Sequence, residues 1–219
     1  MPYRVLSREV PGTGGEQRRR EAYDAQLGDA VERAQQGDED AFAVAYRMVQ
    51  PGLLGYVRGL VGDDAEDVAS DAWLEIARDL GRFRGDGAGF RGWTAMIARH
   101  RALDHVRKLK RRPRPALIEQ DMLQLPGGHD TAAAALETLS TRAALEIIGT
   151  LPREQAEAVL LRVVIGLDGP ATARVLGKRA GAVRTSAYRG LRRLAGQLSP
   201  GGAAGAVTNR AGRTLGHRE

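Results

Sequence analysis

Seven of the residues from 63 to 79 are acidic and only one is basic. Asp67, Asp71 and Glu75 follow one another at four-residue spacing, which places them on one face of a helix. Clustered carboxylates can hold Mg²⁺ for phosphodiester hydrolysis, so a metal-dependent nuclease is one hypothesis. Three acids along one helix converge poorly on a single octahedral ion, however, and no Lys or His base lies beside them. A docking face for a basic protein surface, or a solvated face, explains them better.

The other residue types that could perform catalysis show no catalytic spacing. The chain has no cysteine, which excludes disulfides, thiolate zinc sites and thiol chemistry. His100 and His105 are five residues apart, which separates them on a helix, and His129 and His217 show no ligand spacing either. There is no phosphate-binding glycine loop and no nucleophile elbow. We therefore expect a protein that is not an enzyme and that binds no cofactor or metal.

Positive charge is concentrated in two short stretches. Residues 99–114 hold eight Lys or Arg and one Asp, and residues 172–193 hold seven Lys or Arg and no acid. The whole chain carries only +6, so the rest of it is net acidic. Two basic patches on an acidic body fit one extended polyanion that is contacted at two places. Solvated helix surface is the alternative.

Length and hydropathy place the chain among soluble proteins. Its 219 residues are enough for one large or two small domains. No run of about 18 apolar residues occurs, and the N-terminus lacks the apolar core of a signal peptide. We expect a cytoplasmic protein without membrane insertion.

Apolar residues recur at helical spacing in two blocks. The acidic segment is predicted to be a helix that Asp63 or Asp64 caps. Residues 81–92 contain five glycines and are predicted to form a loop. In the helix that follows, one arc is predicted to be the core face: Trp93, Met96, Ile97, His100 and Leu103.

No strand pattern occurs, so we predict an all-α fold of two small helical domains joined by a flexible linker. The linker contains three prolines and a Gly-Gly pair and is net acidic. The predicted division is a disordered tail over residues 1–24, a first domain over 25–112, the linker over 113–136, a second domain over 137–198, and a disordered tail over 199–219.

The second domain has the pattern of a helix-turn-helix. Leu151-Pro152 opens a helix that ends near Gly166, and a short helix follows from Asp168 to Gly177, where glycine supplies the positive φ of a tight turn. The helix that begins at about residue 180 is basic. This order fits a reader of the DNA major groove, although helical hairpins that do not bind DNA share the spacing.

Several stretches resemble the extracytoplasmic-function (ECF) sigma factors of the sigma-70 family, the promoter-recognition subunits of bacterial RNA polymerase. DAEDVASDAWLEIARDLGRFRGDGAGFRGWTAMIARHRALDHVRKLKRRP resembles region 2 of the family. LPREQAEAVLLRVVIGL, ARVLG and GAVRTSAYRGLRRL resemble region 4. The resemblance covers residues 25–198 and implies that the first domain is region 2 and the second is region 4.

The resemblance assigns roles to the features of the first domain. The acidic helix corresponds to the part that docks on the β′ clamp helices of core RNA polymerase, through Asp64, Asp67, Asp71 and Glu75. The glycine-rich loop lies where relatives capture a flipped-out base of the −10 element, a step that costs stacking energy. Phe83 and Phe90 could instead be ordinary core residues, and His100 could be a packed histidine. The residues implied in −10 binding are Phe83, Arg84, Phe90, Arg99, His100, Arg101, Arg107, Lys108, Arg111 and Arg112.

The resemblance also implies that region 4 reads the −35 element as duplex and contacts the β flap of the polymerase. Arginine bound to guanine is the commonest base-specific contact. The implied −35 residues are Lys178, Arg179, Arg184, Thr185, Ser186 and Arg189. Relatives are commonly controlled by an anti-sigma factor, so such a partner is expected here.

One part of region 4 departs from the family pattern. Relatives usually carry an aromatic residue, a Glu and an Ile where this chain has Gly169, Ala171 and Thr172, and Pro170 is unusual there. This departure predicts a loosely packed first helix of the helix-turn-helix and altered −35 contacts. A free-standing helix-turn-helix repressor or activator is the rival function, but a duplex reader needs neither the acidic helix nor the aromatic loop.

Overall fold

The computed structural model describes residues 13–111 and 132–198, and these ranges contain α-helices and two short 3-10 turns but no strand. The predicted all-α class is therefore confirmed. No helix within these ranges is long and apolar enough to cross a membrane. The helices are α1 (Thr13–Gln35), α2 (Glu39–Val61), α3 (Ala65–Asp79), α4 (Gly87–Arg111), α5 (Ala132–Gly149), α6 (Arg153–Val163), α7 (Gly169–Leu176) and α8 (Ala180–Leu198).

Helices α1–α4 form an N-terminal bundle in which α4 packs against each of the other three. Leu27, Leu53, Ile76 and Phe90, one from each helix, are fully buried in its core. Helices α5–α8 form a C-terminal bundle, in which α8 packs against α5, α6 and α7. The two bundles also touch each other, through α2 and α4 on one side and α5, α6 and α7 on the other.

Helix α1 begins at Thr13, so the prediction of disorder over residues 1–24 is wrong for residues 13–24. The Tyr23 hydroxyl donates a hydrogen bond to the carbonyl oxygen of Met48, at 2.6 Å. The Asp24 carboxylate accepts hydrogen bonds from Arg91 of α4. Polar contacts to α2 and α4 thus hold this segment in place. Because these contacts are not apolar, apolar periodicity did not predict a helix here. Residues 1–12 lie outside the described residues.

Helix α4 begins at Gly87, inside the segment that was predicted to be a loop. The carboxylate of Asp86 accepts a hydrogen bond from the backbone N–H of Gly89, at 2.7 Å, and so caps the helix. A Cβ on Gly87 would lie 2.0 Å from the carbonyl oxygen of Asp24. Glycine at this position therefore allows α1 and α4 to approach closely, and it does not mark a flexible loop.

The buried face of α4 differs from the predicted arc. Small side chains of Thr94, Ala95, Ala98 and Ala102 are fully buried, whereas His100 is exposed. A packed histidine at position 100 was therefore a wrong interpretation. Small residues are selected here because α4 contacts three helices at short range.

The predicted helix-turn-helix is present as α6, α7 and α8. Asp168 caps α7 by accepting a hydrogen bond from the backbone N–H of Ala171, at 2.7 Å. Gly177 ends α7 with a φ of 64°. Thr172 is fully buried and donates a hydrogen bond to the carbonyl oxygen of Asp168, at 2.7 Å. The expectation that this helix packs loosely is therefore wrong.

Helix α5 begins at Ala132, so the last part of the predicted linker, residues 132–136, is helical. The remainder of that linker, and the predicted tail over residues 199–219, lie outside the described residues.

Tyr56 of α2 provides the first testable prediction. Its ring is fully buried, and its hydroxyl has no hydrogen-bond partner among the described residues. Burial also raises the pKa of this hydroxyl above its ordinary value. We expect Tyr56→Phe to leave the free energy of unfolding unchanged or to raise it by about 1 kcal/mol, because an unpaired buried polar group is removed. Urea unfolding followed by circular dichroism measures this.

Tyr23→Phe is the matched control, because it removes a hydroxyl that donates to the carbonyl oxygen of Met48. The free energy of unfolding of this variant should be lower by about 1 kcal/mol. Equal losses in the two variants would contradict the assignment of an unpaired hydroxyl to Tyr56.

Candidate polymerase and nucleic-acid interfaces

Helix α3 presents an acidic face with an apolar residue at its centre. Val68, Ala72 and Ile76 are buried and fix the helix on the N-terminal bundle. On the opposite side, Asp67 and Asp71 are exposed, and the Leu74 side chain is 72% exposed one turn further on. A protruding leucine beside two carboxylates is suited to bind a partner that is both apolar and basic.

Two other acids assigned to docking have partners on α4. The carboxylate of Glu75 accepts a hydrogen bond from Nε of Arg101, at 2.6 Å. The Nε2 of His105 lies 2.8 Å from the carboxylate of Asp64. The sequence had predicted that Asp63 or Asp64 caps α3. The side chain of Asp64 makes no such capping hydrogen bond. The first contact joins α3 to α4, and the second joins the 3-10 turn before α3 to α4. Together they hold the acidic face in a fixed position relative to the basic helix.

The acids of α3 do not converge as metal ligands. Asp64 and Glu75 point to different cations on α4, and Asp67 and Asp71 face solvent. Within residues 13–111 and 132–198, no group of three or more His, Asp or Glu side chains is placed to hold a metal ion.

Three aromatic rings pack together where α4 begins. The ring centroids of Phe83 and Phe90 are 5.3 Å apart, and those of Phe83 and Trp93 are 5.2 Å apart. Phe90 is fully buried and Phe83 nearly so. The expectation that Phe90 stacks on a DNA base is therefore corrected, because its ring has no exposed face. It supports the half-buried ring of Trp93, which sequence reasoning had assigned to the core.

A cavity of about 500 Å³ lies beside this aromatic cluster. The N-terminal bundle contributes Phe83, Arg84, Trp93 and Met96 to its lining. Helix α7 of the C-terminal bundle contributes Ala171, Arg174 and Val175. An apolar cavity with aromatic walls can hold a flat ring such as a nucleotide base, and arginines at its edge can bind the phosphate attached to it.

The basic residues of α4 fall into two groups. Four of those assigned to the −10 element are exposed: His100, Arg107, Lys108 and Arg111. Arg107 also donates a hydrogen bond to the carboxylate of Asp104, at 2.6 Å. Arg99 and Arg101 are instead paired with acids: Arg99 donates a hydrogen bond from Nε to the carboxylate of Glu157 in α6, at 2.8 Å, and Arg101 donates to Glu75 of α3. Arg112 lies outside the described residues. The exposed group forms a cationic edge that extends from the aromatic cluster to the C-terminus of α4.

Helix α8 carries four of the six residues that were assigned to −35 recognition, and Lys178 and Arg179 directly precede it. Arg179, Arg184 and Arg189 are exposed, and the Thr185 hydroxyl donates to the carbonyl oxygen of Gly181 at 3.0 Å. Ser186 is half-buried. Val183 and Gly190, which are buried, fix the helix on α6.

Lys178, which precedes α8, has a partner in the C-terminal bundle. Its Nζ lies 2.5 Å from the carboxylate of Glu154, and this cation lowers the pKa of that carboxyl. Lys178 would have to leave Glu154 in order to bind a DNA phosphate.

An apolar groove of about 540 Å³ lies between α6, α7 and α8. Val163, Tyr188 and Leu191 line it and are unusually exposed, Tyr188 at 63%. Arg162 and Arg184 also line it. The sequence alone did not indicate this groove, because an apolar residue such as Leu191 is expected in a core and only the packing of the helices leaves it 48% exposed.

Comparison with known proteins defines the class to which this fold and these surfaces belong. The model of sigma-70 region 2 matches residues 45–112, and the model of sigma-70 region 4 matches residues 134–194. The first match contains α3 and α4, and the second contains most of the C-terminal bundle.

Among curated proteins, the ECF RNA polymerase sigma factor BldN of Streptomyces coelicolor is 35% identical over 78% of this chain. That match spans 65% of the length of BldN. SigD of Mycobacterium tuberculosis is 31% identical, and the match covers 83% of this chain and 86% of SigD. ShbA of Streptomyces griseus is 32% identical over 77% of this chain and 93% of its own. The chain therefore belongs to the ECF sigma factors of RNA polymerase, and the family resemblance seen in the sequence is confirmed.

Two solved structures share the fold. CnrH in complex with the cytosolic domain of CnrY has a TM-score of 0.54 and 23% identity, over 80% of this chain and 97% of CnrH. The sigma factor RpoE of Bartonella quintana, in complex with the anti-sigma factor NepR, has a TM-score of 0.52 and 20% identity, over 70% of this chain and 93% of RpoE. At these identities the likeness supports the fold alone.

Proposed function

We propose that this sigma factor acts in the cytoplasm, without catalysis of its own, by bringing core RNA polymerase to promoters that it reads at two separate DNA elements. The observation that carries this proposal is the placement of two oppositely charged groups of exposed residues on adjoining helices. Asp67 and Asp71 of α3 are exposed, and so are Arg107, Lys108 and Arg111 of α4. We assign the acids to polymerase and the cations to DNA. The Glu75–Arg101 ion pair and the contact between His105 and Asp64 keep the two surfaces in a fixed relation.

Core polymerase binding is assigned first to the acidic face of α3. Asp67 and Asp71 provide charge, and Leu74 provides an apolar contact at the centre. The β′ clamp helices are the proposed partner. The apolar groove of the C-terminal bundle, with Tyr188 and Leu191 exposed, is the proposed seat of the β flap.

Recognition of the −10 element is assigned to the cavity beside Trp93 and to the cationic edge of α4. The cavity would receive a base that has left the DNA stack, and base–aromatic stacking contributes about 1–3 kcal/mol per base. His100, Lys108 and Arg111 would hold the adjoining backbone. Phosphate contacts of this kind position a protein without reading sequence.

Recognition of the −35 element is assigned to α8. Its exposed arginines, Arg184 and Arg189, are suited to the major groove, where arginine binds guanine through two hydrogen bonds. An anti-sigma factor is the proposed regulator. Two structural neighbours were solved in complex with CnrY and with NepR, which is in keeping with that proposal.

Run-off transcription with purified components tests the function. The template is the DNA upstream of a gene whose transcript rises when the chain is overexpressed. A sigma factor gives a defined transcript only when both the chain and core polymerase are present. A helix-turn-helix repressor would bind this DNA without polymerase and give no transcript, and a nuclease would cut it when Mg²⁺ is added.

Replacing Arg184 by alanine tests the −35 assignment. We expect binding of the polymerase complex to a promoter with a matched −35 element to weaken by about 1–3 kcal/mol, because a base contact is lost. Affinity for core polymerase should change much less, because α3 carries the main docking surface and Arg184 only lines the groove proposed for the β flap. Competition binding with promoters that match or mismatch the −35 element provides the measurement.

Lys108→Ala is the control, because Lys108 is assigned to phosphate only. Its effect should be the same on matched and mismatched −35 elements and should lower the salt dependence of binding. If Arg184→Ala also weakens binding to the matched and the mismatched promoter equally, α8 contacts only the DNA backbone.

A further inference from the structure

One wall of the cavity beside the aromatic cluster comes from α7, and this wall has no role in the proposed function. Helix α7 contacts α4 directly and contributes Ala171, Arg174 and Val175 to the lining. The volume of about 500 Å³ lies within the range of roughly 300–1,000 Å³ that small-molecule sites occupy. The two bundles together therefore enclose a space of the size that a free small molecule needs.

The part of the cavity that belongs to the N-terminal bundle is suited to a flat ring. Trp93 is half-buried, and its ring centroid lies 5.2 Å from that of Phe83 and 5.7 Å from that of Phe90. These contacts hold the indole in place. Gly89 and Gly92 line the cavity beside it, and a Cβ on Gly92 would meet no described atom within 4 Å outside its own helical turns. Open space therefore lies next to a fixed aromatic ring, on which a nucleobase can stack.

Three arginines line the cavity, whereas no acidic residue of the described chain does so. Arg174 lies on α7, and Arg82 and Arg84 precede α4. Arg174 is exposed, and its guanidinium has no hydrogen bond or ion pair with any described residue. Such a guanidinium is available to bind a phosphate through two parallel hydrogen bonds.

Arg84 contributes a guanidinium from the N-terminal bundle that is already held in place. Its Nη1 donates hydrogen bonds to the carbonyl oxygens of Gly81, at 2.8 Å, and Phe83, at 2.6 Å. Its Nε and Nη2 have no partner among the described residues, so they can donate to an anion. Arg82 lies 3.6 Å from Asp79 and is largely exposed, so it adds positive charge but no fixed contact.

The residue at position 171 distinguishes this cavity from the same place in relatives. Ala171 lines the cavity and is 8% exposed, and relatives usually carry a Glu there. A carboxylate at this position would take up space in the cavity and would repel a phosphate bound to Arg174. With alanine, the three arginines are the only charged residues of the described chain that line the cavity.

We propose that this cavity is a binding site for a free nucleoside diphosphate, with the base stacked on Trp93 and the phosphates held between Arg84 and Arg174. Such a ligand combines the flat ring and the clustered negative charge that the lining selects. The sequence has no phosphate-binding glycine loop, so side chains hold the phosphates here instead of backbone N–H groups. The base would lie where the proposed function places a base of the −10 element, so the nucleotide and the promoter strand would exclude each other. Only this last consequence rests on the proposed function.

Titration of the free chain with ADP, followed by tryptophan fluorescence, tests the site. The chain has two tryptophans, and Trp73 is only 7% exposed and donates a hydrogen bond to the side chain of Gln50, away from the cavity. We expect ADP to quench the fluorescence of Trp93, with half-saturation below about 1 mM. Adenosine and inorganic pyrophosphate each offer one half of the ligand and should bind at least about tenfold more weakly. A quench by ADP that persists in Trp93→Phe would place the nucleotide elsewhere and overturn the proposal.

Two substitutions on α7 test the cationic side of the site. Arg174→Ala should weaken ADP binding at least about fivefold, because a charge-assisted pair of hydrogen bonds is lost. Arg192→Ala makes the same change in net charge on an exposed position of α8 outside the cavity, and it should bind ADP as wild type does. Ala171→Glu, which introduces the residue of the relatives, should weaken ADP binding at least about tenfold. Circular dichroism shows whether each variant is folded, and Arg174→Ala decides the matter if Ala171→Glu does not fold.

The outcomes separate this proposal from the proposed function, because the titration contains neither DNA nor polymerase. If ADP gives no saturable quench, or if Arg174→Ala and Arg192→Ala bind ADP equally well, the nucleotide site is wrong and run-off transcription is unaffected. If the chain binds ADP as expected but gives no transcript with core polymerase on any template, the proposed function is wrong and the nucleotide site stands.

Discussion

Replacing Gly87 by alanine should lower the free energy of unfolding by about 3 kcal/mol, because the added Cβ would overlap backbone atoms of α1. That Cβ would lie 2.0 Å from the carbonyl oxygen of Asp24 and 2.9 Å from the backbone nitrogen of Gly28. Backbone atoms in the middle of a helix cannot move aside as a flexible side chain can. The contact between α1 and α4 must open, and the Arg91–Asp24 ion pair opens with it. Urea unfolding followed by circular dichroism measures the loss.

Gly92→Ala is the matched control on the same helix. A Cβ at Gly92 would have no contact within 4 Å among the described residues outside its own turns. This variant should be neutral or more stable by about 0.5–1 kcal/mol, because alanine favours a helix interior over glycine. If Gly87→Ala and Gly92→Ala lowered the free energy of unfolding by similar amounts, α1 would not lie against Gly87.

Reversing two charges on α3, in Asp67→Lys/Asp71→Lys, is expected to weaken binding of core polymerase at least about tenfold, or ~1.4 kcal/mol. Both side chains are exposed, so the change should leave the fold intact while it places like charges against a basic partner. Titration of labelled core polymerase at low and moderate salt gives the affinity, and the defect should shrink as salt rises.

Asp29→Lys/Glu32→Lys makes the same change in net charge on exposed positions of α1. This control should bind core polymerase nearly as wild type does. If both double variants lose affinity equally, net charge governs binding and the face of α3 is not a specific docking surface.

The helix-turn-helix was predictable because its signals are local. Asp168 caps α7 through a backbone N–H three residues further on, and Gly177 ends the helix with a left-handed φ. Residues of the right type at such short spacing determine these features whatever packs around them. The same is true of the acidic face of α3, whose charged residues recur every four positions.

The start of α4 has one local signal, the Asp86 cap, but the glycines around it obscured that signal. Gly87 suggested a loop, yet it is helical because the backbone of α1, more than fifty residues earlier, lies against it. The aromatic residues were misassigned for a related reason. Phe90 is buried and Trp93 is at the cavity, and which ring is covered depends on the packing of three helices and not on spacing alone.

The contact between the N-terminal and C-terminal bundles could not be predicted from the sequence either. Arg99 was assigned to DNA by its place in a basic run, but Glu157, which binds it, lies 58 positions later. Arg91 belongs to the glycine-rich segment and carries no pattern of its own. Long-range partners of this kind are fixed by how the two bundles meet.

The central claim is that the chain directs core polymerase to start sites that share two separated DNA elements. Sequencing of the 5′ ends of transcripts made in vitro from total genomic DNA, by core polymerase with and without the chain, tests it most directly. We predict a set of start sites that require the chain, each preceded by one common element near −10 and another near −35. If no start site depends on the chain, or the dependent sites share no such pair, the account is contradicted.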